Sequence, residues 1–233
     1  MATVIGQPRT RALPPLENGD HLDQKTFHAR YEAMPEACRA ELIGGIVYMV
    51  SPQKGSHSEA HQLTVRWLDE YAEATPGTKA LLNNTQILGP DSEPEPDGCL
   101  FIAPEYGGRV YRDENDYYNG SPEFIIEVGS ATESIDLNRK KLDYQKAGVR
   151  EYVVLAVRTQ QVFWFTRQRG KYREVPLPSD GIFRSRVFPG LWLDAEGILH
   201  NDRRRVLAAL RQGLATPEHA AFVAKLEKQA PER

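Results

Sequence analysis

Two cysteines in 233 residues, Cys38 and Cys99, are too few for a disulfide framework, so a reducing cytoplasm is the expected home. No apolar run approaches the roughly 18–20 residues that cross a bilayer, and no membrane partner is expected. The first twenty residues, MATVIGQPRTRALPPLENGD, lack the apolar centre of a secretory signal. Neither sign of charge dominates: 29 Lys and Arg face 32 Asp and Glu, a net charge of −3. That balance argues against coating nucleic acid by bulk charge, but not against an enzyme that touches a few phosphates. There is no GxxxxGK[ST] phosphate loop, no GxSxG nucleophile turn, no CxxC pair and no internal repeat. What remains is a chain 40% hydrophobic and 26% charged, ordinary for a globule and long enough to bury a real core.

Along the chain, residues 1–20 carry prolines and no periodicity, and read as a mobile arm. Asp23 can cap a short helix through Phe27 and Tyr31 to Met34, stopped by Pro35. ELIGGIVYMV (41–50) reads as two short strands about a Gly-Gly turn. A helix starting at Ser56 or Ser58 places Ala60, Leu63, Trp67, Leu68 and Tyr71 on one face. Strands are expected over Leu81–Leu88 and Asp97–Ile102, followed by a Tyr/Gly/Asp-rich loop of about twenty residues. EFIIEVG, a helix over 134–147 ended by Gly148, and EYVVLAV form a strand–helix–strand step of a partly parallel sheet. QVFWFT and KYREVPL extend it as hairpin strands, and the chain after Trp192 is mostly helical. The expected fold class is α/β, a mixed sheet flanked by helices, with a domain over 21–200 and a helical extension over 201–233.

The chemistry lies where acids interrupt apolar strands. Glu127 sits inside FIIEV, where an unpaired carboxylate would be costly to bury. Asp97 begins the GCLFI strand directly after Pro96. Alternation turns Asp97, Cys99 and Phe101 one way, and Ile125 and Glu127 likewise share a face. If the strands are neighbours, the two carboxylates converge, and close carboxylates repel unless a proton or cation lies between them. Mg²⁺ or Mn²⁺, a hard cation with oxygen ligands, answers that need. On the following helix Asp136, Lys140 and Tyr144 are four apart and line one stripe. Lys140 can therefore reach back over the acid pair, to hold an attacking water and stabilise a pentacovalent phosphate. Each piece alone has a plainer reading: a turn Asp after Pro, a strand Glu on a solvated face, an Asp136–Lys140 surface ion pair. Their order is what carries specificity.

In ELIGGIVYMVSP, the histidines of HSEAH, EPEPDGCLFI, SPEFIIEVGSAT, DLNRKKLDYQKAGVREYVVL and RSRVFPGLWLD, the chain resembles the PD-(D/E)XK nuclease superfamily. Within it, the resemblance is to the Uma-type putative restriction endonucleases, over roughly residues 23 to 200. The resemblance implies a restriction-endonuclease-like mixed-sheet core with flanking helices, DNA as substrate, Asp97 and Glu127 as metal ligands, and Lys140 as the catalytic lysine. The superfamily's lysine normally lies two residues after the Glu, where this chain has Gly129; this branch carries it on the next helix, at Lys140 or the adjacent Lys141. Glu41 matches a glutamate of the family's opening segment. It either completes the acidic cluster or is a strand-end surface residue.

His57 and His61 are four apart, but HSEAH is not HExxH, so a zinc protease is not expected. The resemblance sets them near the cleft entrance, in contact with substrate; the plainer reading leaves a helix-start histidine in solvent or packs it beside Trp67. Cys99 reads as a buried filler. Basic residues gather at 139–146 and 167–173, and tyrosines in EYGGRVYRDENDYYNG either stack on bases or order a surface loop. The expected function is a Mg²⁺- or Mn²⁺-dependent endonuclease acting on DNA. A non-cleaving nucleic-acid-binding or accessory protein of the same fold is the alternative, favoured by the acidic balance. A homodimer suits an enzyme that cuts both strands of a duplex, although no residue demonstrates it.

Overall fold

The apolar runs at 124–129 and 151–156 are covered on both faces, as expected for adjacent parallel strands at a sheet centre. The computed structural model describes residues 13–50, 55–130 and 132–230, with only the backbone of Ser56. Asp23 caps α1 (Gln24–Glu32) by accepting the Thr26 N–H. β1 (Ala40–Ile43) and β2 (Ile46–Met49) form a hairpin whose turn glycines, Gly44 and Gly45, both adopt positive φ. α2 (Gly55–Ala74) buries Leu63, Trp67, Leu68 and Tyr71 along one side. β3 (Thr78–Leu81), β4 (Gln86–Ile87) and β5 (Gly98–Ile102) follow, then a long loop bearing β6 (Tyr111–Arg112) and β7 (Tyr118–Asn119). β8 (Phe124–Gly129) leads through α3 (Glu133–Ile135), a π turn (Asp136–Lys140) and α4 (Lys141–Ala147) to β9 (Glu151–Ala156). Beyond lie β10 (Gln161–Gln168), β11 (Lys171–Val175), β12 (Ile182–Arg184), β13 (Trp192–Asp194), α5 (Ala195–Leu199), α6 (Arg203–Leu214) and α7 (Pro217–Glu227).

The main sheet has the order β11-β10-β9-β8-β5-β3. β8 and β9 are parallel and every other neighbour antiparallel, so the expected strand–helix–strand step is present. Alternation sorts the sheet into two apolar layers. Phe124, Ile126, Val128, Val153, Leu155 and Trp164 pack with α2, α5 and α6. Cys99, Phe101, Ile125, Tyr152, Val154 and Phe165 pack with Tyr144 of α4 on the other side. No helix among the described residues is long and apolar enough to cross a membrane.

One sequence expectation needs correction. The single strand expected over 81–88 is two: Asn83 takes φ +47°, its N–H bonds the Pro96 carbonyl, and β4 joins a separate sheet with β7 and β6. Of the arm expected over 1–20, residues 13–20 are described; most are exposed, but the stretch is tied down at three points. Leu16 is buried, Gly19 N–H donates to Val47 O at 2.8 Å, and Arg30 binds the Pro14 carbonyl. Residues 1–12 lie outside the described residues. The chain after 200 is helical, and Val206 and Leu210 of α6 pack into the α2-side core.

The segment 89–95 fastens the β1–β2 hairpin to the rest. Leu42 and Glu93 exchange backbone hydrogen bonds, and Ser92 Oγ donates to Asp143 of α4. Burial pushes the Asp143 carboxyl up from 3.8 to about 6, with Asp91 adding to the rise and Ser92 and Lys146 opposing it. Because the folded value is the higher, its stabilisation is complete below about pH 4 and is lost as pH rises through about 6. Asp143→Asn keeps an acceptor for Ser92 but cannot ionise. It should raise the melting temperature at pH 7.5, by no more than about 3 kcal/mol in stability, with the gain shrinking toward pH 4 in thermal melts.

Candidate active site

β5 and β8 pair with Cys99 opposite Ile125 and Gly98 opposite Ile126, so one further step of the register sets Asp97 opposite Glu127. The two acids that interrupt apolar strands are thus neighbours on adjoining strands, on the α4 side of the sheet. Asp97 is anchored by its own partner strand, with Oδ2 accepting the Val128 N–H at 2.8 Å. Both carboxylates are buried, as are Glu41, Asp136 and Lys140.

Lys140 closes the cluster. Its Nζ lies 2.9 Å from Glu41 Oε1 and 3.1 Å from Glu127 Oε1. Glu41 is therefore part of the cluster rather than a surface strand end, and its Oε1 also accepts the Glu95 N–H at 2.7 Å. Tyr144 donates to the same Glu127 oxygen at 2.6 Å. Asp136, Lys140 and Tyr144 do form one stripe, carried through the π turn, a local helical widening found often at functional sites. Asp136 does not sit in a surface pair with Lys140; it is buried, accepts from Thr132 Oγ1 at 2.9 Å, and acts on Lys140 through its charge. Lys141 turns away, its Nζ 4.7 Å over the Phe165 ring.

The histidines of α2 meet Asp97 rather than Trp67. His61 Nε2 donates to the Asp97 carbonyl at 3.0 Å, and the two imidazoles lie nearly parallel, 6.0 Å apart. His57 Nε2 stands 3.4 Å from Asp97 Oδ1, near enough for charge pairing but without hydrogen-bond alignment, and has no other partner among the described residues. Cys99 is buried as a filler, and burial pushes its thiol up to about 12. The basic hairpin tip at 167–173 is exposed and separate from the cluster.

Electrostatically the cluster holds too much acid. Burial lifts Glu127 well above the usual carboxylate range; Lys140 pulls it down, while Asp97, Asp136 and Glu41 push it further up. Burial likewise raises Asp136 to about 6. Lys140 loses hydration, yet Glu127, Glu41 and Asp136 more than compensate and hold its ammonium protonated. For Asp97, burial is outweighed by His57, the Val128 N–H and Lys140, and its carboxyl is held low. The neighbouring carboxylate in turn raises His57.

Buried excess anion, hard oxygen donors on Asp97 and Glu127, and an orphaned His57 nitrogen fit a divalent cation. Among the described residues, no three or more His, Cys, Asp and Glu side chains are gathered as a ready cage. Mg²⁺ does not require one, since it keeps several waters and binds through one or two carboxylates.

A mixed sheet flanked by helices, with Asp97 opposite Glu127 on adjoining strands and Lys140 on the crossover, defines an α/β protein with a buried acid–lysine cluster. The fold matches the crystal structure of a putative nuclease belonging to DUF820 from Anabaena variabilis ATCC 29413, with a TM-score of 0.59 and 20% identity. That match covers 74% of this chain and 97% of the other. The chain belongs to the Uma2 family, described as "Putative restriction endonuclease", whose model matches residues 26–196. No curated protein matches it.

The sequence left two lysines open and missed Tyr144 as a partner of Glu127; its place on the Lys140 stripe was the available signal. The geometry separates the lysines experimentally. Lys140→Met strands two buried carboxylates and should cost about 3–5 kcal/mol in urea unfolding. Lys141→Met, losing one ring contact, should cost about 1 kcal/mol or less.

Proposed function

We propose that this protein is a divalent-cation-dependent endonuclease that hydrolyses phosphodiester bonds of DNA. The observation that carries the reading is the Lys140 ammonium, held between Glu41 and Glu127 beside an Asp97 set opposite Glu127. Asp97 and Glu127 would hold Mg²⁺ or Mn²⁺. When bound, such an ion supplies Lewis-acid stabilisation of phosphoryl oxygens and a more acidic water. Lys140 keeps its proton, so it serves as a fixed charge and hydrogen-bond donor that positions the attacking water and offsets charge on the pentacovalent phosphate. It is not a base. Glu41 and Tyr144 fix the lysine and the Glu127 carboxylate, and His57 and His61 fix Asp97. Hydrolysis breaks one P–O bond; the water oxygen joins phosphorus, and the departing oxygen takes up a proton. Family membership and the nuclease-like fold support the same reading. A cytoplasmic location and a homodimer that cuts both strands belong to this proposal.

The test is cleavage of supercoiled plasmid with Mg²⁺ or Mn²⁺. Wild type should cut, and Asp97→Ala and Lys140→Ala should fall by about 10²-fold or more. Equal rates in all three proteins would sink the assignment. A Mn²⁺ thermal-shift titration complements it: ligand linkage should stabilise wild type, and Asp97→Asn should abolish the shift. A non-cleaving accessory protein predicts neither cutting nor a shift, and nucleic-acid affinity indifferent to the acid pair.

A further inference from the structure

On the α4 side of the sheet, away from the acid cluster, two antiparallel ladders each pair an aromatic ring with a cation. Lys79 of β3 lies opposite Phe101 of β5, and Arg112 of β6 opposite Tyr118 of β7. Residues opposite one another share a face, so each cation stands on the side of an aromatic ring; Phe101 is buried beneath, and Tyr118 is half-buried. The Phe101 and Tyr118 rings meet, with centroids 6.0 Å apart and planes tilted by 58°. Beside them is a hollow of about 390 Å³, lined also by Tyr111 and Glu105. That size lies within the range of small-molecule sites.

The hollow is built by an ordered loop. Asp113 Oδ1 accepts the N–H groups of Asn115 and Tyr117, and Oδ2 accepts from Asn119. Gly108 and Gly120 lie so close to the backbone of Ile102 and Arg109 that an added Cβ would stand 1.7 Å and 2.5 Å from their carbonyl oxygens. Tyr111 nevertheless leaves 55% of its surface exposed. The cations are loosely committed: Lys79 pairs with Glu105 at 3.6 Å, and Arg112 with Asp116 at 2.9 Å, in pairs open to solvent. Such pairs contribute little and can be exchanged for a phosphate.

Phe101 is four residues along β5 from Asp97 and on the same face, so the hollow lies roughly 13 Å from that acid, a span that a few nucleotides of one strand can bridge. We propose that this hollow is a subsite for an unpaired nucleotide of the DNA, its base stacked on Tyr111 and Tyr118 and its phosphate met by Lys79 and Arg112. Only a base out of the duplex stack can present its face to these rings. The proposal rests on the reading of DNA as substrate.

It is tested by binding, not cleavage, with the full chain in EDTA. A short single-stranded oligonucleotide carrying one 2-aminopurine, and the same sequence as a blunt duplex, are titrated with protein. The single strand should bind about tenfold tighter or better, with a change in 2-aminopurine fluorescence. Tyr111→Ala should weaken it about tenfold and Tyr111→Phe should preserve it, while Lys79→Ala and Arg112→Ala should each flatten the salt dependence. Circular dichroism verifies folding; should Tyr111→Ala not fold, Arg112→Glu, on an exposed side chain, carries the same test. Equal affinity for both oligonucleotides, or binding indifferent to these substitutions, would overturn the subsite. Cutting with Tyr111-insensitive binding removes the subsite alone. Tyr111-dependent binding without metal-dependent cutting removes the nuclease reading and leaves the subsite.

Discussion

An ammonium taken out of water must find anions, and Lys140 finds two that the chain delivers from different units. Glu41 comes from the N-terminal hairpin and Glu127 from a central strand, while the lysine itself rides on the crossover between β8 and β9. Removing the lysine strands both buried carboxylates, which costs far more than a surface pair is worth. The hairpin, the sheet and the crossover therefore meet at a single nitrogen. The π turn belongs to the same constraint, since it lies between Asp136 and Lys140 and feeds directly into the turn that brings Tyr144 onto Glu127.

The remainder of the cluster does not balance. Four buried carboxylates, Glu41, Asp97, Glu127 and Asp136, surround Lys140 and His57, and even with both cations charged the acids are in excess. A core selected for stability alone would not keep this surplus, because well-packed apolar groups are commonly as stable as buried ions or more so. Strongly displaced titrations gathered in one place are common at functional sites, and here Glu127 and Asp136 are both raised within one buried cluster. The surrounding fold supplies the compensation: apolar layers on both faces of β8 and β9, and a loop from 89 to 95 that fastens the hairpin from outside.

Much of this was legible in the residues because it follows from alternation. Apolar runs with a single acid at 97 and 127 announced two buried strands, and period two put both acids on one face. The Asp23 cap, the Gly44-Gly45 turn and the Gly148 stop are local signals, and each is present. Tertiary effects were hidden. Asn83 and Asn84 read as interior strand residues, yet Asn83 takes a left-handed conformation that Asn tolerates, and β4 is freed to join another sheet. Nothing in DLNRK signals a π turn. Leu16 looked like part of a proline-rich arm because its burial depends on a hairpin formed later in the chain. Spacing favoured Lys140, on the Asp136–Tyr144 stripe, without closing the choice; the fold sets Lys140 on Glu41 and Glu127 and Lys141 over the Phe165 ring.

The most direct test of a charge surplus built for a cation is to see where the cation goes. Crystals soaked in Mn²⁺ and measured at an anomalous wavelength should give a peak within about 2.0–2.3 Å of carboxylate oxygens of both Asp97 and Glu127, with Lys140 still on Glu41. A peak elsewhere, or none at this pair with Mn²⁺ in excess, would contradict the account.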